Sequence, residues 1–264
     1  AKAVKDGRRK CFLIYLDPID GTTAFSNKKP GWVCQIGWMK GGVPGGSVIV
    51  KPLFNENNEL QGFTAFAVEC GPGAAFQKYK MSFNAKGELE NMDELLSPNT
   101  HEKVILIQTS GFSEAYAKRL PELWATLENL GYQVVESRSR KAFTGIGTAA
   151  LDFIAILEGR AAGAIISNNL PHDIYPNAVM AIANDMPVRS FLNTEFFSVN
   201  NQAGFTLAGG VSVACHRDVM ADINHCMHVV CGDLLRKGVS PTKADRCLPG
   251  AKFDPGHYAA GPTI

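Results

Sequence analysis

Hydrophobic periodicity changes character part-way along this chain, and the change restricts its fold more than any other feature. Strand-like runs at Cys11 to Leu16, Val33 to Met39, Ser47 to Val50, Gly62 to Val68 and Ala74 to Lys80 come first. Gly41-Gly42, Gly45-Gly46 and Gly71-Pro72-Gly73 punctuate them, the last as a hairpin turn in preference to a phosphate cradle, since no helix follows. A series of this kind predicts a meander of antiparallel strands. Ala85 to Thr100 is then polar and turn-rich, a loop or junction.

From Val104 the chain alternates strand and helix. Val104 to Gln108 is an apolar strand, and Ser113 can cap a helix that places Ala117, Leu120, Trp124, Leu127 and Leu130 on one face before Gly131. Pro121 should kink or divide that helix. Tyr132 to Glu136 reads as a strand, Thr148 to Glu158 as a helix stopped at Gly159, and Ala161 to Ile166 as a strand. The expected fold class is α/β, a layered α+β sandwich. It divides into an antiparallel half carrying an acidic loop (1–95), an α/β half (96–231) and an irregular tail (232–264) with Pro241, Pro249, Pro255 and Pro262. No internal repeat appears.

Bulk electrostatics give no reason to expect a nucleic-acid partner. The 26 basic and 25 acidic residues leave a formal charge of +1, and no basic run exceeds Arg8-Arg9-Lys10. There is neither a membrane-length apolar stretch nor a signal-peptide core, so the expectation is a cytoplasmic protein acting on a small ligand, away from the membrane. Seven cysteines stand singly at 11, 34, 70, 215, 226, 231 and 247, without CxxC spacing, which argues against a disulfide framework and fits a reducing compartment. His225, Cys226, His228 and Cys231 come nearest to a zinc cluster. Val219, Ile223, Cys226 and Val230 recur at helical spacing, however, and place the cysteine in a core.

Chemistry concentrates in Leu16-Asp17-Pro18-Ile19-Asp20-Gly21-Thr22-Thr23-Ala24-Phe25. Two carboxylates stand three apart after an apolar strand, with Pro18 stiffening the backbone between them and Gly21 allowing a tight turn. Facing one point, they suit magnesium, which binds through one or two carboxylates and keeps positions for water and phosphate oxygens. The Ile19 carbonyl is a further candidate oxygen ligand, and Thr22 and Thr23, if they open a helical turn, offer N–H groups and hydroxyls to a phosphate. A bare Asp-Pro-x-Asp-Gly can equally be a solvated turn closed by an Asx bond.

The longer motif resembles the first signature of the inositol monophosphatase family, part of the magnesium-dependent, lithium-sensitive phosphatase superfamily. Two further stretches follow in the order of that family. Gly145-Ile146-Gly147-Thr148-Ala149-Ala150-Leu151-Asp152 with Glu158-Gly159-Arg160-Ala161 is similar to its glycine-threonine-alanine turn, helix and strand. His172-Asp173-Ile174-Tyr175-Pro176-Asn177-Ala178-Val179 is similar to the tryptophan-aspartate signature before its penultimate helix. Read alone, the first is a helix capped by Thr148, and the second a helix capped by Asp173 with Pro176 in its opening turn.

The resemblance implies the inositol monophosphatase or sugar phosphatase-like fold and hydrolysis of a small phosphate monoester with two or three Mg2+ ions. Asp17, Ile19, Asp20 and Asp173 would be the metal ligands, and Asp17, Asp20 and Thr22 the catalytic residues. Phosphate and substrate would meet Asp20, Gly21, Thr22, Gly147, Thr148, Ala149 and Asp173. Bisphosphate nucleotides or fructose 1,6-bisphosphate are alternative substrates, and homodimers are common in the family. A non-catalytic remnant that binds metal or phosphate is the alternative from another class.

Departures from the family pattern bear on this expectation. The acidic residue that members carry upstream of the aspartate motif is missing, as are two N-terminal helices and a water-activating threonine, so the chain reads as lacking the N-terminal portion. Asp6, the one upstream acid, does not match the spacing. His172 replaces the tryptophan, as a packed side chain or a proton donor, and Ser167-Asn168-Asn169 lacks the glutamate of inositol-selective members. Asn184-Asp185-Met186-Pro187 replaces a glycine pair. Inositol is therefore not the necessary substrate.

Overall fold

The structure, a computed structural model, describes residues 12–40, 43–71, 75–98, 100, 102–137, 148–167, 171–191, 210–239 and 241. Its first half is one six-stranded antiparallel sheet, in which β1 (Phe12–Asp20), β2 (Val33–Lys40), β3 (Val43–Phe54), β4 (Leu60–Cys70), β5 (Phe76–Asn84) and β6 (Leu89–Glu94) lie side by side in chain order. A single short helix, α1 (Thr22–Ser26), interrupts the meander after β1. Alternation along β2 shows how the sequence selects the inner face: Val33, Gln35, Gly37 and Met39 are buried, and Cys34, Ile36 and Trp38 only partly so.

A mixed five-stranded sheet forms the second half, ordered β10 (Val188–Ser190), β11 (Val211–Ala214), β9 (Gly163–Ile166), β7 (Val104–Gln108), β8 (Gln133–Glu136). Strand β7 runs parallel to β8 and β9, whereas β11 is antiparallel to β9 and β10. Between the sheets lie α4 (Ala149–Leu157) and α5 (Pro171–Ala183). The first packs on β9, and the second lies across β1, β2 and β3. Every residue of α4 is buried, as a helix enclosed by layers on both sides must be. Helices α2 (Glu114–Ala117), α3 (Leu120–Asn129) and α6 (Arg217–Arg236) cover the far face of the five-stranded sheet, through β8 and β11. The α/β layered sandwich expected from the sequence is the fold observed.

The two halves are tied together by charge as well as by packing. Lys51 Nζ on β3 lies 2.5 Å from Glu158 Oε1 at the end of α4, and Arg160 Nη2 lies 2.6 Å from Glu158 Oε2. Burial alone would raise the Glu158 pKa, but the two cations outweigh it and hold the carboxyl below its usual range. No helix among the described residues is long and apolar enough to cross a membrane.

Most sequence-predicted elements are present with small shifts at their ends, and Pro121 divides the predicted long helix into α2 and α3. Three expectations change. The polar stretch from Ala85 contains β6, whose residues are all exposed, so no alternating pattern announced it. Gly45 and Gly46 lie inside β3 instead of before it; a Cβ on Gly46 would fall 2.1 Å from the Trp38 ring, so glycine lets that indole lie on the strand. Helix α6 runs through Gly232 to Arg236, past the expected start of the tail. Gly71-Pro72-Gly73 falls mostly outside the described residues, and the Gly71 N–H donating to the Ala75 carbonyl at 2.7 Å closes the flanking hairpin.

Candidate active site

In an unbroken strand, residues three apart point to opposite faces, so Asp17 and Asp20 could not share a site. β1 avoids this with a bulge. Asp17 pairs with Gln35 and Asp20 with Val33, so three steps on β1 oppose two on β2, and both aspartates sit opposite inward-facing residues. Pro18, which has no N–H to lose from the ladder, stands in the bulge. Oδ1 of Asp17 accepts the Ile19 N–H at 3.0 Å, the Asx bond of the plain-turn reading, while Oγ1 of Thr22 donates to the Ile19 carbonyl at 3.3 Å. The turn and the ligand readings therefore coexist, since each oxygen keeps a further lone pair.

Gly21 ends the loop and caps α1 with a left-handed φ of 94°. A Cβ here would lie 2.5 Å from the Gly31 carbonyl oxygen and 2.9 Å from Thr148 Cγ2, so glycine permits both the turn and the approach of α4. That approach brings in the second motif. Thr148 caps α4, its Oγ1 accepting the Leu151 N–H at 3.2 Å, and the Ala150 N–H donates to Asp20 Oδ2 at 3.2 Å. The Asp20 carboxyl is pushed up to about 7, first by burial and then by the charges of Asp173 and Asp17. Bonds from Ala150 and Thr148 oppose the rise. Thr148 and Ala149 thus stand beside the acidic loop, and Gly147 lies outside the described residues.

The distal carboxylate arrives on α5. Asp173 occupies the first turn of this helix, which begins at Pro171, so Asp173 is not the cap, and Pro176 lies inside the helix. The helix reaches the sheet closely because the Tyr175 ring stacks on Tyr15 at 4.4 Å and because Gly37 has no side chain. A Cβ there would stand 2.8 Å from Pro176 Cα. Gln35 Nε2 donates to the Asp173 carbonyl at 3.3 Å, and Asn177 Nδ2 donates to that carbonyl and to Gln35 Oε1, both at 2.6 Å. His172 Nε2 lies 3.3 Å from Asp173 Oδ1, so the residue in the tryptophan's place faces the carboxylate.

The result brings together three carboxylates, Asp17 buried and Asp20 and Asp173 partly so, with the charges of Asp173 and Asp17 acting on Asp20, a repulsion that a cation would relieve. No group of three or more His, Cys, Asp or Glu side chains among the described residues is close enough to hold a metal ion unaided. Magnesium does not require three, because it takes one or two carboxylates and fills the remaining positions with waters and phosphate oxygens. Pairs of these aspartates with the Ile19 carbonyl therefore fit it. By contrast, Cys226 and Cys231 are buried in the core on α6, as helical spacing implied for Cys226. Sequence reasoning passed over Gln35 and Asn177. The available signal was a glutamine at an inward position of an otherwise apolar strand.

Comparison with known proteins agrees with this architecture. The inositol monophosphatase family model matches residues 2–179. No curated protein matches the chain by sequence. Similar solved structures include IMPase-II of Staphylococcus aureus with inositol monophosphate bound, at TM-score 0.56 and 15% identity over 89% of this chain and 77% of that one. Inositol monophosphatase from Anabaena has TM-score 0.51 and 17% identity over 84% and 74%. A dual specific IMPase/NADP phosphatase bound with D-inositol-1-phosphate has TM-score 0.51 and 12% identity over 88% and 71%. At these identities the structural likeness is one of fold, and with the family model spanning more than half of the sequence it establishes that the chain belongs to the inositol monophosphatase family.

Proposed function

We propose that this protein hydrolyses a small phosphate monoester in a magnesium-dependent reaction. The observation that carries the reading is the β1 bulge, which turns Asp17 and Asp20 to one face, with Asp173 close enough to raise the Asp20 pKa. Asp17, Asp20, Asp173 and the Ile19 carbonyl would hold two or three ions. When bound, magnesium supplies charge neutralisation at the phosphoryl oxygens and a more acidic water. The protein's own groups do the rest. Gly21 and Thr22 at the opening turn of α1 receive phosphate oxygens, and the Thr22 hydroxyl, which now donates to the Ile19 carbonyl, is the donor nearest the loop. Thr148 and Ala149 line the substrate side, and the Ala150 N–H holds Asp20 in place.

The test is phosphate release from a panel of inositol monophosphates, adenosine 2′- and 3′-phosphates, bisphosphate nucleotides and fructose 1,6-bisphosphate, with and without magnesium. Asp20→Asn keeps the size of the side chain and removes its charge, and it should lower turnover by about 10³-fold or more. Unchanged turnover in that variant would sink the assignment. The panel spans nucleotides because S. aureus IMPase-II has been seen with 2′AMP bound, a ligand that a site without the inositol-selective glutamate could also take.

A second reading, a non-catalytic protein that binds metal or phosphate, is favoured by the absence of a three-ligand cluster among the described residues. Magnesium binding by calorimetry with no release from any member of the panel would decide for it.

A further inference from the structure

Gln35 and Asn177 are polar side chains of this site that the proposed chemistry does not use, and they are 2% and 0% exposed. Amides at that depth are costly unless bonded. Their bonds close a ring: Asn177 Nδ2 donates to Gln35 Oε1 and to the Asp173 carbonyl, and Gln35 Nε2 donates to the same carbonyl. Because a carbonyl only accepts, both NH2 groups must face it, which fixes the two amide orientations. Asn177 Oδ1 is then left buried without a partner. For stability alone this is a poor arrangement, since an unpaired buried oxygen costs about as much as a hydrogen bond contributes.

The location of the ring explains it better. Gln35 is the cross-strand neighbour of Asp17, and Asn177 is one helical turn beyond Asp173. The ring therefore links the strand that carries one carboxylate to the helix that carries another. Beside it, Tyr15 on Tyr175 and Gly37 against Pro176 set how near α5 comes to the sheet. Contacts of that kind set the distance from helix to sheet, whereas hydrogen bonds also fix direction. Pro176 also removes the backbone N–H that would bond the His172 carbonyl, loosening the turn that holds Asp173. Directional bonds from Gln35 and Asn177 reach the next carbonyl, that of Asp173, and hold the same turn from the side.

We propose that Gln35 and Asn177 are positioning residues for Asp173: they fix the rotation of the first turn of α5 and so set the affinity for the distal divalent ion without touching it. The proposal rests on Asp17, Asp20 and Asp173 being ion ligands. The ring predicts that its removal weakens one ion and spares the other, a pattern that general loosening of the fold would not give.

The test is Mn2+ binding to the full chain, by calorimetry and by electron paramagnetic resonance of free Mn2+, in wild type and in the double variant Gln35→Met/Asn177→Leu. Replacing both amides with apolar groups of similar size leaves no new orphan, so the melting temperature should stay close to that of wild type. Wild type should bind a tighter and a weaker ion, and the double variant should keep the tighter one while losing about tenfold or more at the weaker. The Mg2+ concentration for half-maximal phosphate release should rise with it. If the double variant does not fold, Gln35→Met alone, which keeps the Asn177 bond to Asp173, should show a smaller loss at the weaker ion only. Unchanged affinities, or an equal loss at both ions, would overturn the proposal. Failure of wild type to bind a second ion would instead overturn the ligand assignment on which it rests.

Discussion

Burial and like charge each raise the pKa of a carboxyl group, and at Asp20 both act. Its pKa is raised from 3.8 to about 7, foremost by burial and further by Asp173 and Asp17. A group whose folded pKa is raised contributes stability that is complete below the unfolded value and lost as pH rises through the folded one. In protein stripped of divalent ions, the melting temperature should therefore fall between about pH 4 and pH 7, by roughly 10 °C for a chain of this size, and level off above that. Asp20→Asn should flatten that slope, and saturating magnesium should remove it by taking the place of the proton. Calorimetric melting at a series of pH values checks this. The spacing of Asp17 and Asp20 and the glycine after them were legible in the sequence, because each follows from local rules. Their facing one point was expected from Pro18 and Gly21, but the bulge that produces it was not legible, because it depends on β1 gaining a residue against β2.

At the scale of elements, the site depends on how closely α5 can lie on the six-stranded sheet. Gly37 is where this is most exposed to test: a Cβ would press on the Pro176 backbone at 2.8 Å, and a backbone cannot swing aside as a side chain can. Gly37→Ala should cost about 1–3 kcal/mol of stability by overpacking, read by urea denaturation. It should also weaken divalent-ion binding, because the same displacement carries Asp173 away from β1. Unaltered stability and ion binding would show that the close approach is unnecessary. Legibility at this scale followed burial. Strand β7 has all five residues buried and was located end to end from its apolar run, whereas β6, all exposed, lies at the sheet's edge and pairs with β5. The helix at Asp173 was readable as a helix, but its start at Pro171 was not, since Asp173 is itself a good capping residue.

On the scale of the whole molecule, the site belongs to neither half of the chain alone. Asp17, Asp20 and Gly21 come from the antiparallel meander, and Thr148 and Asp173 come from helices enclosed between the two sheets. A sequence can show that the motifs follow in order, but it cannot show the layer spacing that joins them. Here that spacing is set by α4 and α5 and braced by Lys51, Glu158 and Arg160. The proposal for the site is thus geometric: Asp17, Asp20, the Ile19 carbonyl and Asp173 would take divalent ions between them in pairs, with water and phosphate oxygens completing each shell. Its most direct measurement is anomalous diffraction from crystals of the protein soaked in Mn2+. The account predicts anomalous peaks between the β1 bulge and the first turn of α5, within bonding distance of Asp20. Peaks confined to other parts of the molecule, or none at saturating Mn2+, would contradict it.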